Sequence, residues 1–225
     1  QLIFSDADLD KALPVVVKAI IQHAGQTCSA GSRILVQKSI YDEFMTQVAS
    51  QFGKVRVGTP DMDLDCGPVM NGKQQRLVQG FRTEAIESGI QLLAEGSFAD
   101  GLDQNGFWVQ PALFGNVPRD HRLACDEVFG PVLTAIPFDD EADAIKLANA
   151  TEYGLVGSVW TKDGDRQQRV AKRMNCGQIF INNYGAGGGV ELPFGGMKKS
   201  GHGREKGFVA LEHFTTTKTI VHHHG

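Results

Sequence analysis

The stretch from Val132 to Asn182 decides the fold. Val132-Leu-Thr-Ala-Ile-Pro-Phe138 is a strand-like apolar run, and Asp140-Glu-Ala-Asp-Ala-Ile-Lys-Leu-Ala-Asn-Ala150 has helical spacing. Leu155-Val-Gly-Ser-Val-Trp160 returns to strand. Asp165-Arg-Gln-Gln-Arg-Val-Ala-Lys-Arg-Met174 is helical with Gly177 behind it, and Gln178-Ile-Phe-Ile-Asn182 is a buried-looking strand. Strand, helix, strand, helix, strand is the pattern of an α/β domain whose sheet is mostly parallel and twisted, with flanking helices.

The same alternation runs upstream. Leu2-Ile-Phe4 is a short apolar run, and residues 8–24 carry Leu9, Leu13, Val16, Val17, Ile20 and Ile21 at helical spacing. Pro14 either starts a second helix there or kinks the first. Residues 33–37 read as a strand, Ser39 as the cap of a helix over 41–52, and 55–67 as turn-rich. A helix is expected over 71–88, stopped by Gly89, with strands near 91–94 and 107–114. Downstream, 204–213 reads as a polar helical patch. Residues 215–224 are rich in Thr, Ile and Val and should be extended, needing a sheet edge in this subunit or another.

Composition narrows the function. The 225 residues are 41% hydrophobic and 21% charged, a globular balance that excludes wholesale disorder. A net charge of −4 and a pI near 6.0 give no reason to expect nucleic acid. The greasiest stretch, residues 12–21, is broken by Lys18 and is far short of the roughly 20 apolar residues of a spanning helix, so no membrane partner is expected. No signal peptide is visible, and the opening Gln-Leu-Ile-Phe-Ser-Asp reads as the middle of a longer chain. Cys28, Cys66, Cys125 and Cys176 form no Cys-x-x-Cys pair, which argues against a zinc ribbon and for a reducing cytoplasm. His222, His223 and His224 alternate faces and cannot all meet one ion, so no metal site is expected.

Two motifs can carry chemistry. Cys28 sits in Gly25-Gln-Thr-Cys-Ser-Ala-Gly31, after an apolar helix and before a strand, where α/β folds place reactive groups. Its small neighbours leave room for a substrate and expose backbone N–H groups beside the sulfur. A buried, inert cysteine is the alternative, and it is the reading taken for Cys66, Cys125 and Cys176. Glu127-Val-Phe-Gly-Pro131 places a carboxylate and an aromatic ring before the strand at Val132. A carboxylate can take both hydroxyls of a ribose and a flat ring can pack a nicotinamide; alternatively Glu127 is a solvated charge and Phe129 a core residue. The glycine runs near Gly185 and Gly201 fail Gly-x-Gly-x-x-Gly, so no dinucleotide fingerprint is present.

Five motifs in order resemble the aldehyde dehydrogenase superfamily, specifically its C-terminal, cysteine-bearing half. They are Ser5-Asp-Ala-Asp-Leu9, Gly25-Gln-Thr-Cys28, Glu127-Val-Phe-Gly-Pro131, Tyr153-Gly-Leu155 and Leu192-Pro-Phe-Gly-Gly196 with Lys199-Ser-Gly201 and Gly203-Arg-Glu205. The resemblance implies a catalytic domain of that type over residues 1–213, an oligomerisation strand over 214–225, and a cofactor-binding domain and general-base glutamate outside this chain. It implies Cys28 as the nucleophile that attacks an aldehyde, with its own backbone N–H as an oxyanion donor, and oxidation to the acid through a thiohemiacetal and a thioester. Glu127 is implied on the nicotinamide ribose and Phe129 beside the nicotinamide of NAD or NADP, with the loop from Gly185 to Val190 at the aldehyde entrance. The residues alone are expected to bind no cofactor and to be inactive, and to form a homo-oligomer, with a dimer expected. A cofactor-independent cysteine hydrolase or thioester-forming domain is the alternative.

Overall fold

A computed structural model describes residues 1–185 and 189–225. In chain order the elements are β1 (Leu2–Ile3), α1 (Leu9–Ile21), β2 (Arg33–Gln37), α2 (Tyr41–Phe52), β3 (Arg56–Val57), α3 (Gly72–Glu87), β4 (Gln91–Glu95), β5 (Ser97–Phe98) and β6 (Ala112–Gly115). They continue with α4 (Arg122–Cys125), β7 (Val132–Phe138), α5 (Glu141–Ala148), β8 (Val156–Trp160), α6 (Gly164–Arg173) and β9 (Gln178–Ile181). Seven strands make one sheet in the order β4-β6-β7-β2-β1-β8-β9. Every pairing is parallel except β4 with β6. The α/β class read from the sequence is the observed one.

The centre of this sheet is buried on both faces, which is why its strands are continuous apolar runs and not alternating ones. Leu2, Ile3, Ile34, Val36, Leu133 and Val159 have no exposed surface. β2 lies beside β7 with Arg33 opposite Thr134 and Gln37 opposite Phe138. Pro137 is tolerated in this central strand because the ladder with β6 has already ended at Thr134.

Caps set the helix starts. Asp8 accepts the Lys11 N–H, Asn71 that of Gln74, Asp140 that of Asp143, and Asp163 those of Asp165 and Arg166. Pro14 lies inside α1, which runs on as a single helix and buries Ala12, Val16, Val17, Ile20 and Ile21. Gly89, at φ +76°, ends α3 as expected.

Several expectations need correction. Ser39 does not cap α2; it lies in a 3₁₀ turn, Lys38–Ile40, that leads into the helix. The strand expected over 107–114 is confined to β6, because Val109 and Trp108 pack as an irregular segment under α3, with the Trp108 carbonyl bound by Gln75. The helical patch expected over 204–213 is instead a bridge between Phe194 and Glu205 followed by a 3₁₀ segment, Phe208–Phe214. The tail expected to find an edge in this subunit or another is exposed over 215–225 and pairs with no strand among the described residues. The one-turn helix α4 had no readable signal. It is capped by His121, whose Nδ1 accepts the Leu123 N–H at 3.0 Å.

Candidate active site

Cys28 reaches the surface through a left-handed reversal. After α1 the backbone passes through His23 (φ +54°), Ala24 (φ +53°) and Gly25 (φ +69°), a run that non-glycine residues enter at a cost. A Cβ on Gly25 would stand 2.1 Å from the Gly130 carbonyl oxygen, so the Cys28 loop and the Glu127–Pro131 loop meet there with no room for a side chain. Gly130 in turn is closed in by Val78 of α3, whose Cγ2 would be 2.4 Å from its Cβ.

The loop is tied down on both sides of the thiol. Tyr184 donates its hydroxyl to the Ser29 carbonyl at 2.8 Å. Burial pushes the Tyr184 phenol far above its ordinary range, so it remains a donor. On the other side the Gln26 Oε1 accepts the Met70 N–H at 2.7 Å. Within the loop, Ala30 N–H reaches the Thr27 carbonyl at 3.0 Å and Gly31 N–H the Ala19 carbonyl at 2.9 Å. Ser29 is buried, while Cys28 between these anchors is exposed.

The other thiols are placed differently. Cys66 is buried, and burial, with Asp65 beside it, pushes its thiol up to about 12. Burial also raises Cys176. Cys125 sits at the end of α4, its Sγ 3.5 Å from the Arg119 carbonyl.

One cavity of about 170 Å³ collects Cys28, Glu127 and Phe129, with Thr27, Tyr153 and Tyr184 also on its wall. Phe129 is 38% exposed and Glu127 is exposed, so neither is absorbed by the core. The Glu127–Pro131 loop is itself held: Phe129 sits at φ +52°, and the Gln74 Nε2 donates to the Val128 carbonyl at 3.1 Å and the Phe129 carbonyl at 2.8 Å.

The cavity lies on the amino side of the sheet. Open α/β sheets bind ligands beyond the carboxyl ends of their strands. Here Cys28 precedes β2, Glu127 and Phe129 precede β7 and Tyr153 precedes β8, at the amino ends of parallel strands. Cys28 and Phe129, far apart in sequence, become neighbours because β2 and β7 pair in parallel and their entry loops share one rim. The helices that lead into β2, β8 and β9 turn their C-termini to this rim, an arrangement that does not favour phosphate.

The remaining motifs build the frame. Gly154 N–H donates to Ser200 Oγ at 3.0 Å, and the Gly154 carbonyl accepts from Gly177 and Met197 at 3.0 and 2.9 Å. Lys198 Nζ donates to the Asn149 and Thr151 carbonyls at 3.0 and 2.9 Å. The Tyr153–Leu155 motif and the Leu192–Ser200 motif are thus one knot that holds Tyr153 at the cavity wall. Asp6 joins β1 to the start of α6: it accepts from Thr161 Oγ1 at 2.8 Å, from Asp163 N–H at 3.1 Å and from Arg166 at 2.9 Å. Of the glycine loop expected at the aldehyde entrance, residues 186–188 lie outside the described residues.

Gln26, Gln74 and Tyr184 escaped the sequence reading. Asn71 and Gln74 do show the spacing of a capping box, but nothing local says where the glutamine amide points.

A family model described as the aldehyde dehydrogenase family matches residues 1–220. Betaine aldehyde dehydrogenase of Bacillus subtilis is 38% identical over 98% of this chain, and the match covers 45% of that relative. Among solved structures, a provisionally assigned aldehyde dehydrogenase from Burkholderia cenocepacia superposes with a TM-score of 0.96 at 56% identity, over 98% of this chain and 46% of that one. Betaine aldehyde dehydrogenase of Staphylococcus aureus, solved in complex with NAD+, gives 0.89 at 37% identity over 95% of this chain and 43% of that one. The chain therefore spans less than half the length of the relatives it matches.

Proposed function

Because the chain belongs to the aldehyde dehydrogenase family, we propose that it supplies the nucleophile and the nicotinamide-side wall of a site that oxidises an aldehyde to its carboxylic acid. The observation that carries this reading is the convergence of Cys28, Glu127 and Phe129 on one cavity, with the sulfur exposed. In it, the Cys28 thiolate adds to the carbonyl carbon, a C–S bond forms and the π pair moves to oxygen. The Cys28 backbone N–H is the donor assigned to that oxyanion. A nicotinamide dinucleotide, NAD or NADP, would supply the acceptor for the hydride lost as the thiohemiacetal becomes a thioester. Water then cleaves the acyl–sulfur bond, which frees the acid and returns the thiol.

The residues fit the nicotinamide end of such a group. Glu127 is an exposed carboxylate, an acceptor suited to the two hydroxyls of a ribose, and Phe129 is a partly exposed aromatic residue on the same wall. This chain is assigned the ribose and the ring of that group. No histidine lines the cavity among the described residues, which removes the base that a cofactor-free cysteine hydrolase would use.

The same reading gives a homo-oligomer in a reducing cytoplasm. All four cysteines are free thiols. No helix is long and apolar enough to cross a membrane among the described residues. Phe208, Phe214, Ile220 and Val221 are 80–90% exposed, an apolar surface suited to a second copy.

A short iodoacetamide pulse with peptide mapping tests the site, because it needs no cofactor. Cys28 should label first, and excess aldehyde should slow labelling there by forming the thiohemiacetal, while Cys125 labels at an unchanged rate. Cys66, with its thiol near 12, should stay unlabelled at pH 8, where on the order of one molecule in ten thousand is ionised. Preferential labelling elsewhere, or no protection by aldehyde, refutes the assignment.

A further inference from the structure

The loops that bear Cys28 and Phe129 are joined at their bases by the β2–β7 ladder, where the Thr134 N–H reaches the Ser32 carbonyl at 2.9 Å, and they meet again where Gly25 stands against Gly130. Two glutamine side chains add restraints from the side of α3. Gln26, two residues before Cys28, accepts the Met70 N–H at 2.7 Å, and its Nε2 lies 3.5 Å from the Pro68 carbonyl. One residue further on, Asn71 caps α3 by accepting the Gln74 N–H at 2.9 Å. Gln74 then directs both hydrogens of its amide outward, to the Val128 carbonyl at 3.1 Å and the Phe129 carbonyl at 2.8 Å.

These contacts close a ring. It runs from the Cys28 loop to residues 68–71, through the first turn of α3 to residues 128–130, and back across the glycine contact. One member is Phe129, a bulky residue at φ +52°. Such a conformation persists only where its surroundings over-determine it. The Gln74 amide grips the carbonyl of that residue and of the one before it.

We propose that Gln26 and Gln74 are positioning residues which, through the first turn of α3, fix the Phe129 ring and the Glu127 carboxylate relative to the Cys28 sulfur. The inference rests on the site reading above, but its test does not require turnover.

The position of Gln74 makes a separation of roles possible. It is the third residue of a helix whose cap is Asn71, where a glutamate is also favoured: its carboxylate can reach back to the cap N–H and suits the positive end of the helix. Gln74→Glu therefore preserves shape and helix while removing both N–H donors and setting a carboxylate against two carbonyls. Gln74→Met removes the donors without adding charge.

Hydrogen–deuterium exchange of the full 225-residue chain, read by mass spectrometry beside thermal unfolding, decides the matter. In both variants, peptides covering 126–131 should exchange roughly 10- to 100-fold faster, the loss of two hydrogen bonds, while peptides covering 78–87 keep their rates. The midpoints of both variants should fall by roughly 2–12 °C, the loss of two hydrogen bonds, and not by the larger drop of a core defect. In Gln26→Met, peptides over 24–30 and over 126–131 should both accelerate, because the ring is cut at its other side. Unchanged exchange at 126–131 in both Gln74 variants overturns the proposal, as does acceleration spread evenly along α3. A Gln26→Met response confined to 24–30 also overturns it, since the loops would then be independent. If the site reading itself is wrong, the alkylation test fails while the exchange pattern stands, so the two failures are distinguishable.

Discussion

Gly25→Ala tests the joint on which the site depends. Two costs should add. Gly25 is at φ +69°, and an L-residue held in that region loses roughly 1–2 kcal/mol. The new methyl would also stand 2.1 Å from the Gly130 oxygen and 2.3 Å from its carbonyl carbon, backbone atoms backed by Val78 that have no flexible end to swing away. Forcing volume into such a place costs about 1–3 kcal/mol more. Gly89→Ala supplies the control: its φ is +76°, and a Cβ there meets nothing within 4 Å. It should lose the conformational part alone. For a chain of this size each kcal/mol moves the midpoint by about 2–4 °C, so Gly89→Ala should melt roughly 2–8 °C lower and Gly25→Ala roughly 4–20 °C lower. Scanning calorimetry of both variants gives the difference directly. Exchange at peptides covering 126–131 should quicken in Gly25→Ala alone. Equal midpoints for the two variants would refute the tight contact and the argument that the loops position each other.

Two further outcomes follow from the frame. Burial alone would raise the Asp6 carboxyl, but hydrogen bonds from Thr161 and the Asp163 N–H and the charge of Arg166 together outweigh it and hold it below its ordinary value. Its stabilisation is therefore complete above the unfolded value near 4 and is lost as pH falls through the lower folded value; Asp6→Ala should cost about 1–3 kcal/mol at pH 7, with the gap between variant and parent closing in melts taken below about pH 4. For the exposed tail, light scattering of the chain with and without residues 215–225 should show a dimer that is lost on truncation, and one monomeric mass for both forms would remove its bridging role.

The fold was readable where the signal was local and the burial two-sided. Val132–Phe138 and Val156–Trp160, Thr134 and Ser158 apart, carry no polar side chain because parallel neighbours and helices cover both faces, and Asp8, Asn71, Asp140 and Asp163 cap their helices through bonds three residues long or less. The tail is different: the β-propensity of Thr215 to Ile220 says that these residues suit a sheet but not whose sheet, and they pair with no edge among the described residues. Local sequence offered Cys28, Glu127 and Phe129 as candidates beside inert readings and motif resemblance chose between them, since nothing in their spacing announces that the loops before β2 and β7 share a rim. Sequence order places Cys28 before β2 and Phe129 before β7, at the amino ends of those strands, but does not say that the two entry loops open on one cavity. Gln26, Gln74 and Tyr184 were illegible in a stricter sense. Each acts by giving or taking a hydrogen bond at a backbone group 44, 54 and 155 residues away, respectively, and backbone partners leave no trace in side-chain identity. A site assembled from strand-entry loops therefore shows its reacting groups in its motifs and hides the residues that aim them, which are found only once the register of β2 against β7 is known.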